Sequence, residues 1–359
     1  MTRAGDSARA DTVGRNTTEG DDAVGRGGTA PAGHAPVAAP QGSGTEPLEA
    51  CFSAADPVDL RLTLAPLRHG PNDDTIRFRR DGAWLARRTA AGPATLRLWT
   101  APGDEAVHAQ AWGPGAALAL AAAPGLAGLL DDPESLVPRH RLVRELQRRF
   151  PRLRLARTGQ LLPALVPAVT EQKVTVGEAQ AAYAALLRRL GEDAPGPVEL
   201  VLPPTGTCLA ALPYFEFHPM GIERHRAELL KQAGRLEPKI ESWMALTPEQ
   251  AQSNLQEIPG IGPWTAAEAT RAAFGDPDAV SPGDAHLPDL VAWALAGDRA
   301  ATTPGCSSCW THTGGSAAAS SGCSRWRGSR SRGLGRASPR DASSDSRSRS
   351  DDRRPALGG

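Results

Sequence analysis

The feature that most constrains the fold is a tight turn between two helical segments in the second half of the chain. The stretch 255–266 reads LQEIPGIGPWTA. It predicts a helix ending at Ile258, a Pro-Gly-Ile-Gly hairpin and a new helix beginning near Pro263. Because Gly260 and Gly262 have no side chains, backbone N–H groups can approach a phosphate closely, and the second helix N-terminus adds a favourable dipole. The hairpin is therefore predicted to seat an anion such as a backbone phosphate.

Both ends of the 359-residue chain have a composition that does not build a core. Residues 1–50 contain few large apolar side chains, so they cannot bury enough surface to offset the entropy of ordering, and they are predicted to form a disordered arm. Residues 301–359 form a low-complexity tail rich in Ser, Gly and Arg. The low complexity predicts a disordered tail. A frame shift is the alternative, because back-translation with GC-rich codons yields an amphipathic helix in another reading frame.

Residues 51–135 are predicted to form a small α/β domain with an antiparallel sheet. The segments DLRLTLAPL, TIRFRR, AWLARRT and ATLRLWT alternate in polarity, and turn signals separate them. One further strand, a Gly-Pro-Gly turn and a helix are predicted to follow. The N-terminal domain is therefore expected to be of the α+β class.

Residues 136–300 carry a helical pattern and are predicted to form an all-α bundle. A capping box from Thr175 to Glu178 starts one helix, and Gly191 ends it. Thr247 followed by proline is a second helix start. The fold class predicted for the chain is an α+β domain followed by an all-α bundle that contains the hairpin.

Composition excludes few classes of function. The 40 basic and 40 acidic side chains cancel, so the net charge argues neither for nor against a nucleic-acid partner. No apolar run is long enough to span a membrane and no leader precedes the domains, which predicts a cytoplasmic protein that does not contact membranes. Cys51 and Cys208 are isolated, and the one CxxC has no second pair, so neither a metal nor a cofactor is expected.

Three stretches together resemble a known family: LLPALVPAVTEQKVT, LPYFEFHPMGIERHRAELL and IPGIGPWTAAEATRAAFGDPDAVSPGD. They are similar to the helix-hairpin-helix DNA glycosylase superfamily, and more closely to its DNA-3-methyladenine glycosylase II type. The resemblance covers about residues 59–300. It implies a small α/β domain followed by an all-α helix-hairpin-helix glycosylase bundle, duplex DNA with a damaged base as the partner, a monomer, and a cytoplasmic location at the nucleoid.

The resemblance also implies a catalytic residue. In this family an aspartate lies about twenty residues beyond the hairpin, and Asp284 in VSPGDAHL matches it. One carboxylate suffices for the chemistry, because an alkylated purine already carries positive charge and leaves readily. The carboxylate has only to stabilise an oxocarbenium-like sugar and guide a water. By the same resemblance, the hairpin residues Gly260, Ile261, Gly262 and Thr265 contact phosphate.

Aromatic residues are the predicted wall of the base pocket. Trp264, Tyr214 and Phe217 are implied by the resemblance, while ordinary core packing explains Trp264 equally well and explains some of the others too. His286, two residues beyond Asp284, is predicted to point elsewhere.

The residue that fills the gap left by the extruded base is expected in the segment 171–173. Gln172 or Lys173 is implied as this wedge by the resemblance. The alternative is a helix terminus with polar side chains in solvent.

The residue after the hairpin separates two chemistries. Bifunctional members of the superfamily place a nucleophilic lysine in the helix just after the hairpin, whereas this chain has Trp264 there, and its last lysine is Lys239. A Schiff base at the hairpin is therefore not possible. The resemblance implies a monofunctional glycosylase that hydrolyses the N-glycosidic bond of alkylated purines of the 3-methyladenine kind and leaves an abasic site.

Two departures from the family keep other functions open. Ala285 stands where the family commonly has an aromatic residue, and the translated tail lacks the Tyr-Arg-Gly-like segment that packs beside the aspartate in the family. One alternative is therefore a catalytically impaired DNA-binding protein. Another is a glycosylase for deaminated or oxidised bases, because the choice of base depends on the shape of the pocket.

Overall fold

The structure is a computed structural model that describes residues 46–296 except residues 102 and 104. The predictions for the arm before residue 46 and for the tail after residue 296 lie outside the described residues. The described part combines a small antiparallel sheet with a helical region, as the sequence predicts. Its helices are all too short or too polar to cross a membrane.

The sheet and its two helices come first in the chain. In order they are β1 (Leu48–Ser53), α1 (Leu60–Leu64), β2 (Ile76–Arg79), β3 (Gly82–Thr89), β4 (Gly92–Trp99), β5 (Ala106–Trp112) and α2 (Ala116–Leu126). The five strands are antiparallel in the order β1-β5-β4-β3-β2. The four strands β2 to β5 and the helix α2 confirm the sequence prediction. Strand β1 begins at Leu48, inside the segment predicted to be disordered.

One predicted strand is wrong. The segment DLRLTLAPL forms the short helix α1 and a 3-10 turn at Ala65–Leu67 instead. The side chain of Asp59 accepts a hydrogen bond from the backbone N–H of Leu62 at 3.0 Å and so caps the helix. The alternating leucines fit a strand equally well, but the buried positions Leu60, Thr63 and Leu64 have helical spacing.

The helical region follows α2. Its helices are α3 (Arg141–Arg149), α4 (Leu161–Thr170), α5 (Val176–Leu190), α6 (Gly206–Ala211), α7 (Tyr214–Phe217), α8 (Arg224–Arg235), α9 (Glu237–Ser242), α10 (Pro248–Gln256), α11 (Pro263–Phe274) and α12 (Leu287–Ala296). The capping boxes that start α5 at Thr175 and α10 at Thr247 are both present, as predicted. The region is not entirely helical, because the two-residue strands β6 (Glu192–Asp193) and β7 (Val201–Leu202) pair between α5 and α6.

The sheet is packed on both faces. One face buries apolar side chains against α1 and α2, with Leu64, Leu96 and Leu126 fully buried. On the other face, Trp84 stacks on Trp112 with ring centroids 5.2 Å apart, and the segment around β7 covers this pair. The sheet is therefore held against the helical region, whose own core is a separate cluster between α4, α5, α8, α10 and α11.

Two charged groups lie where the sheet meets α4, of which Arg87 is buried and Glu241 is half-buried. Arg87 of β3 donates from Nη2 to the carbonyl oxygen of Thr158 at 2.5 Å, and burial lowers the pKa of its guanidinium to about 10. Glu241 of α9 accepts hydrogen bonds from the backbone N–H groups of Leu161 (3.3 Å) and Leu162 (2.7 Å) and so caps the N-terminus of α4. Burial raises the pKa of Glu241, although these N–H donors oppose the shift.

The raised pKa of Glu241 predicts a specific dependence of stability on pH. The folded state binds this proton more tightly than the unfolded state, so the stabilising effect is complete below the unfolded value of 4.5 and is lost as pH rises through the folded pKa. We expect the free energy of unfolding of Glu241→Gln, minus that of the unchanged protein, to increase between pH 4.5 and neutral pH. Urea unfolding at both pH values measures it, and a constant difference would contradict the prediction.

Candidate active site

The hairpin joins α10 to α11 and requires glycine at position 260. Gly260 has φ of +97°, and a Cβ added there would lie 3.3 Å from Cε1 of His225. Ile261 is buried, and its backbone N–H donates to the carbonyl oxygen of Ile258 at 3.0 Å, which closes the turn. Both a left-handed backbone and close packing therefore fix the hairpin.

Gly262 caps the N-terminus of α11 without such constraints. Its φ is −90°, and nothing lies within 4 Å of an added Cβ. The first N–H groups of any helix have no acceptor within the helix, and here they lie beside an open glycine position. The arrangement can bind an anion through backbone N–H groups and the helix dipole.

The turn between α4 and α5 contacts the hairpin. The amide Nε2 of Gln172 donates to the carbonyl oxygen of Gly260 at 3.1 Å and to Oγ1 of Thr265 at 2.9 Å. The hydroxyl group of Thr265, which is buried, is therefore engaged by Gln172, and a phosphate contact by this residue would come from its backbone N–H.

The next residue in the same turn, Lys173, lies in a different environment. Its side chain is exposed, and its φ of +52° is in the left-handed region that non-glycine residues rarely adopt. Arg226 of α8 is buried and donates from Nη1 to the carbonyl oxygen of Thr170, the last residue of α4, at 2.9 Å. This bond stabilises the start of the turn. Of the two predicted wedge residues, Gln172 is thus fastened to the hairpin and Lys173 projects at the surface.

Asp284 ends a tight turn that precedes α12. In the sequence Ser-Pro-Gly-Asp, Gly283 has φ of +81°, and the backbone N–H of Asp284 lies 3.4 Å from the carbonyl oxygen of Ser281. Proline at the second position and a left-handed glycine at the third are typical of a type II turn. The local sequence therefore fixes the direction in which the carboxylate leaves the backbone.

The carboxylate of Asp284 accepts three hydrogen bonds. The indole Nε1 of Trp264 donates to Oδ2 at 3.0 Å, and the backbone N–H groups of His286 and Leu287 each donate to Oδ1 at 2.8 Å. A carboxylate has about four lone-pair sites, so one site on Oδ2 is still available. The group is half-buried and lies at the N-terminus of α12, where the helix dipole favours negative charge.

A second hydrogen bond fastens the same turn to α11. The hydroxyl of Ser281 donates to Oε1 of Glu268 at 2.6 Å, and Arg271 forms an ion pair with the other oxygen of Glu268. Ser281, Glu268 and Arg271 were not predicted as site residues. Serine, glutamate and arginine near a helix are too common for spacing alone to single them out.

The structure brings only part of the predicted base pocket together. Trp264 contacts Asp284, as described above. Phe217, by contrast, is fully buried in the helical core, so its predicted place in the pocket wall is corrected to a core position. Tyr214 is half-buried against the same core, with the guanidinium of Arg224 5.8 Å from its ring centroid. His286 contributes its backbone N–H to Asp284, while its side chain is exposed.

Metal ligands are not grouped within the described range. Among residues 46–101, 103 and 105–296, no three His, Cys, Asp or Glu side chains lie close enough together to hold a metal ion.

Comparison with known proteins identifies the fold. No family model matches the sequence, and no curated protein matches it. The 3-methyladenine DNA-glycosylase from Archaeoglobus fulgidus superposes with a TM-score of 0.62 at 15% identity, over 75% of this chain and 94% of that one. The apo 8-oxoguanine glycosylase/lyase of Clostridium acetobutylicum superposes with a TM-score of 0.57 at 11% identity, over 78% and 97%.

A structure of the same Clostridium acetobutylicum enzyme with double-stranded DNA superposes with a TM-score of 0.56 at 12% identity, over 76% of this chain and 93% of that one. The chain thus has the fold of the helix-hairpin-helix DNA glycosylase superfamily. At identities this low, the superpositions establish the fold alone. Both alkylated-base and oxidised-base enzymes share this fold.

The two hairpin glycines provide a matched test of the turn. We expect Gly260→Ala to lower the free energy of unfolding by about 1–3 kcal/mol, because alanine is strained at positive φ. Gly262→Ala, with ordinary φ and open space, is expected to change it by less than about 0.5 kcal/mol. Urea unfolding of both variants measures the difference. Equal losses in the two variants would be inconsistent with this geometry.

Proposed function

We propose that this chain is a monofunctional DNA glycosylase that hydrolyses the N-glycosidic bond of alkylated purines in duplex DNA and leaves an abasic site. The observation that carries the proposal is the Asp284 carboxylate, which three hydrogen bonds orient beside the hairpin helix. The proposal includes a monomeric, cytoplasmic enzyme that needs no cofactor.

The role proposed for Asp284 is electrostatic. As the bond between sugar and base breaks, positive charge develops on the sugar, and a fixed carboxylate stabilises it without having to reorganise. The lone-pair site left on Oδ2 suits a hydrogen bond from the attacking water. An alkylated purine leaves as a neutral base because it starts with a positive charge, so the reaction requires no separate general acid.

The hairpin supplies the grip on DNA in this proposal. Backbone N–H groups near Gly262 and the dipole of α11 bind a phosphate next to the extruded nucleotide. Trp264 lies on the first turn of α11 and donates to Asp284, so the phosphate site and the carboxylate belong to one rigid unit. Lys173, exposed on a strained turn beside the hairpin, is the better placed of the two wedge candidates.

The monofunctional part of the proposal is supported by the lack of a lysine in the helix that follows the hairpin. No lysine follows Lys239 in the sequence, and position 264 is tryptophan. The indole N–H donates to the carboxylate and cannot attack a sugar. Hydrolysis by water is therefore the chemistry that these residues support.

Two other functions make different predictions. Asp284 also caps α12, as a purely structural aspartate would, which keeps a DNA-binding protein without activity under consideration. A glycosylase for oxidised bases is favoured by the similarity to the 8-oxoguanine glycosylase/lyase fold. The substitution of Asp284 by asparagine separates the first of these from an enzyme, since asparagine preserves capping and removes the charge.

We expect Asp284→Asn to reduce the release of methylated purines from duplex DNA at least about 100-fold, because the charge that stabilises the transition state is lost. Affinity for duplex DNA should stay nearly unchanged. Thermal stability should fall slightly, because asparagine has one acceptor oxygen and therefore keeps the bonds from His286 and Leu287 but loses the bond from Trp264. Asp289→Asn, which removes an exposed carboxylate from α12, the helix that follows Asp284, is the control and should keep full activity. If Asp284→Asn keeps its activity, the proposed mechanism is wrong.

The product provides a separate test of the monofunctional assignment. We expect the DNA strand to remain intact after base release and to break only on treatment with alkali, since the helix after the hairpin carries no lysine to form a Schiff base with the sugar. Borohydride added during the reaction should trap no covalent complex between protein and DNA. Detection of a trapped complex on a denaturing gel would show lyase chemistry instead.

A further inference from the structure

The turn that carries Asp284 is attached to α11 at two points. Trp264, on the first turn of α11, donates to the Asp284 carboxylate at the end of the turn, and Glu268 accepts from the hydroxyl of Ser281 at its beginning. Trp264 and Glu268 are four residues apart, so their side chains lie on one face of the helix, with Cβ atoms about 5–6 Å apart. The turn is therefore bonded to one face of α11 at both of its ends.

The bond between Ser281 and Glu268 is short and shielded from water. Oγ of Ser281 lies 2.6 Å from Oε1 of Glu268, within the range of about 2.5–2.7 Å that hydroxyl donors adopt on ionised carboxylates. Bonds of this kind are about twice as strong as those between neutral groups. Ser281 is 5% exposed and the Glu268 side chain is 10% exposed, so water competes little for either group. The start of the turn is therefore held by a strong, directional contact.

Oε2 of Glu268 pairs with Nη2 of Arg271, which lies three residues further along α11. The side chain of Arg271 is only 13% exposed. An ion pair this far from water adds little net stability, because the loss of hydration offsets the attraction between the charges. Buried polar pairs are better attested as devices that fix one arrangement of neighbouring segments. Here the pair helps to hold Glu268 in the position where its other oxygen meets Ser281.

The two attachments act differently on the carboxylate of Asp284. The bond from Trp264 fixes the distance between the indole and Oδ2, but a single hydrogen bond opposes rotation only weakly. The bonds from His286 and Leu287 join the carboxylate to the start of α12, so they move with the turn and do not orient it on α11. The bond at Ser281 adds a second point on α11 and opposes that rotation. It therefore bears on the direction in which the carboxylate faces relative to the hairpin.

We infer that Ser281 is a positioning residue for base release, held by Glu268 and acting through Asp284. This inference rests on the proposed function. A carboxylate stabilises developing positive charge only when it is fixed in the right place, and a displacement of about 1 Å can lower the rate about 100-fold. Without the bond at Ser281, the Asp284 carboxylate samples a wider range of orientations, and a smaller share of the bound complexes reacts.

A double-mutant cycle on the full chain tests this role. Ser281→Ala removes only the hydroxyl, Asp284→Asn removes the charge, and the double variant combines the two changes. The single-turnover rate of 7-methylguanine release from duplex DNA is measured for each protein with the protein in excess, and affinity is measured on a duplex that carries a stable abasic analogue. Ser242→Ala is the matched control, because this exposed hydroxyl donates within α9 to the carbonyl oxygen of Lys239.

We expect Ser281→Ala to lower the single-turnover rate about tenfold. Affinity for DNA should change less than about twofold, because the backbone donors of the hairpin are untouched. In the Asp284→Asn background the same substitution should lower the rate less than about twofold, since no charge is left to position. Ser242→Ala should match the unchanged protein. A role of Ser281 in stability alone would lower the rate by the same factor in both backgrounds, and that result would overturn the inference.

Hydrogen exchange provides a readout that does not depend on activity. The indole N–H of Trp264 is protected from exchange with solvent while it is bonded to Asp284, so its exchange rate reports how often that bond opens. We expect exchange at least about threefold faster in Ser281→Ala than in the unchanged protein, measured by NMR with Trp264→Phe to assign the signal. An unchanged exchange rate would show that the turn is held without Ser281 and would contradict the inference.

The outcomes separate this inference from the proposed function. If the unchanged protein releases no 7-methylguanine, the proposed function is wrong and the role of Ser281 in base release fails with it. If the unchanged protein is active and Ser281→Ala releases the base at the same rate, the enzyme stands and the inference is overturned. A loss of about tenfold that disappears in the Asp284→Asn background, together with faster indole exchange, supports the role of Ser281.

Discussion

The candidate site depends on the attachment of one four-residue turn to one helix. The indole of Trp264 binds the carboxylate of Asp284, and Glu268, one helical turn further along, binds the hydroxyl of Ser281. The two bonds therefore hold opposite ends of the same turn against α11. Since the hairpin leads into that helix, the proposed phosphate site and the Asp284 carboxylate are both attached to α11.

The hairpin itself is held from two directions. Gly260 is packed so closely against His225 of α8 that a side chain would have to displace it, and Gln172 binds the hairpin from the turn after α4. Arg226 completes the support by holding the last carbonyl of α4 from within the core. Preorganisation of this kind lowers the conformational cost of binding an anion, because the donors are already in place before the ligand arrives.

Much of the fold follows from the sequence, and the errors have identifiable causes. Strands β2 to β5, the capped starts of α5 and α10, and the hairpin were predicted from turn residues and periodicity. The segment DLRLTLAPL was predicted to be a strand because its leucines alternate. It forms a helix instead, and the side chain of Asp59 caps the N-terminus of that helix. Strands β6 and β7 have two residues each, which is too short for periodicity to detect.

The candidate site was predicted less completely than the fold. The resemblance located Asp284 and the hairpin in the sequence, and the structure then brought Trp264 to Asp284. Phe217 was expected in the pocket, but it is fully buried, since an aromatic residue in a short helix packs equally well inward. The bond between Ser281 and Glu268 was missed altogether, because serine and glutamate are too common for spacing alone to single them out.

The sequence by itself determined the features that depend on interactions between neighbouring residues, which are the capped helix starts and the glycine turns. It also determined that no lysine follows the hairpin. Tertiary structure alone decided that Trp264 donates to a carboxylate 20 residues away and that Gln172 binds a carbonyl 88 residues away. The physical reason is the separation along the chain of the residues that interact. Caps and turns satisfy backbone groups within a few residues, whereas hydrogen bonds between distant segments form only after burial of the core has brought the helices together.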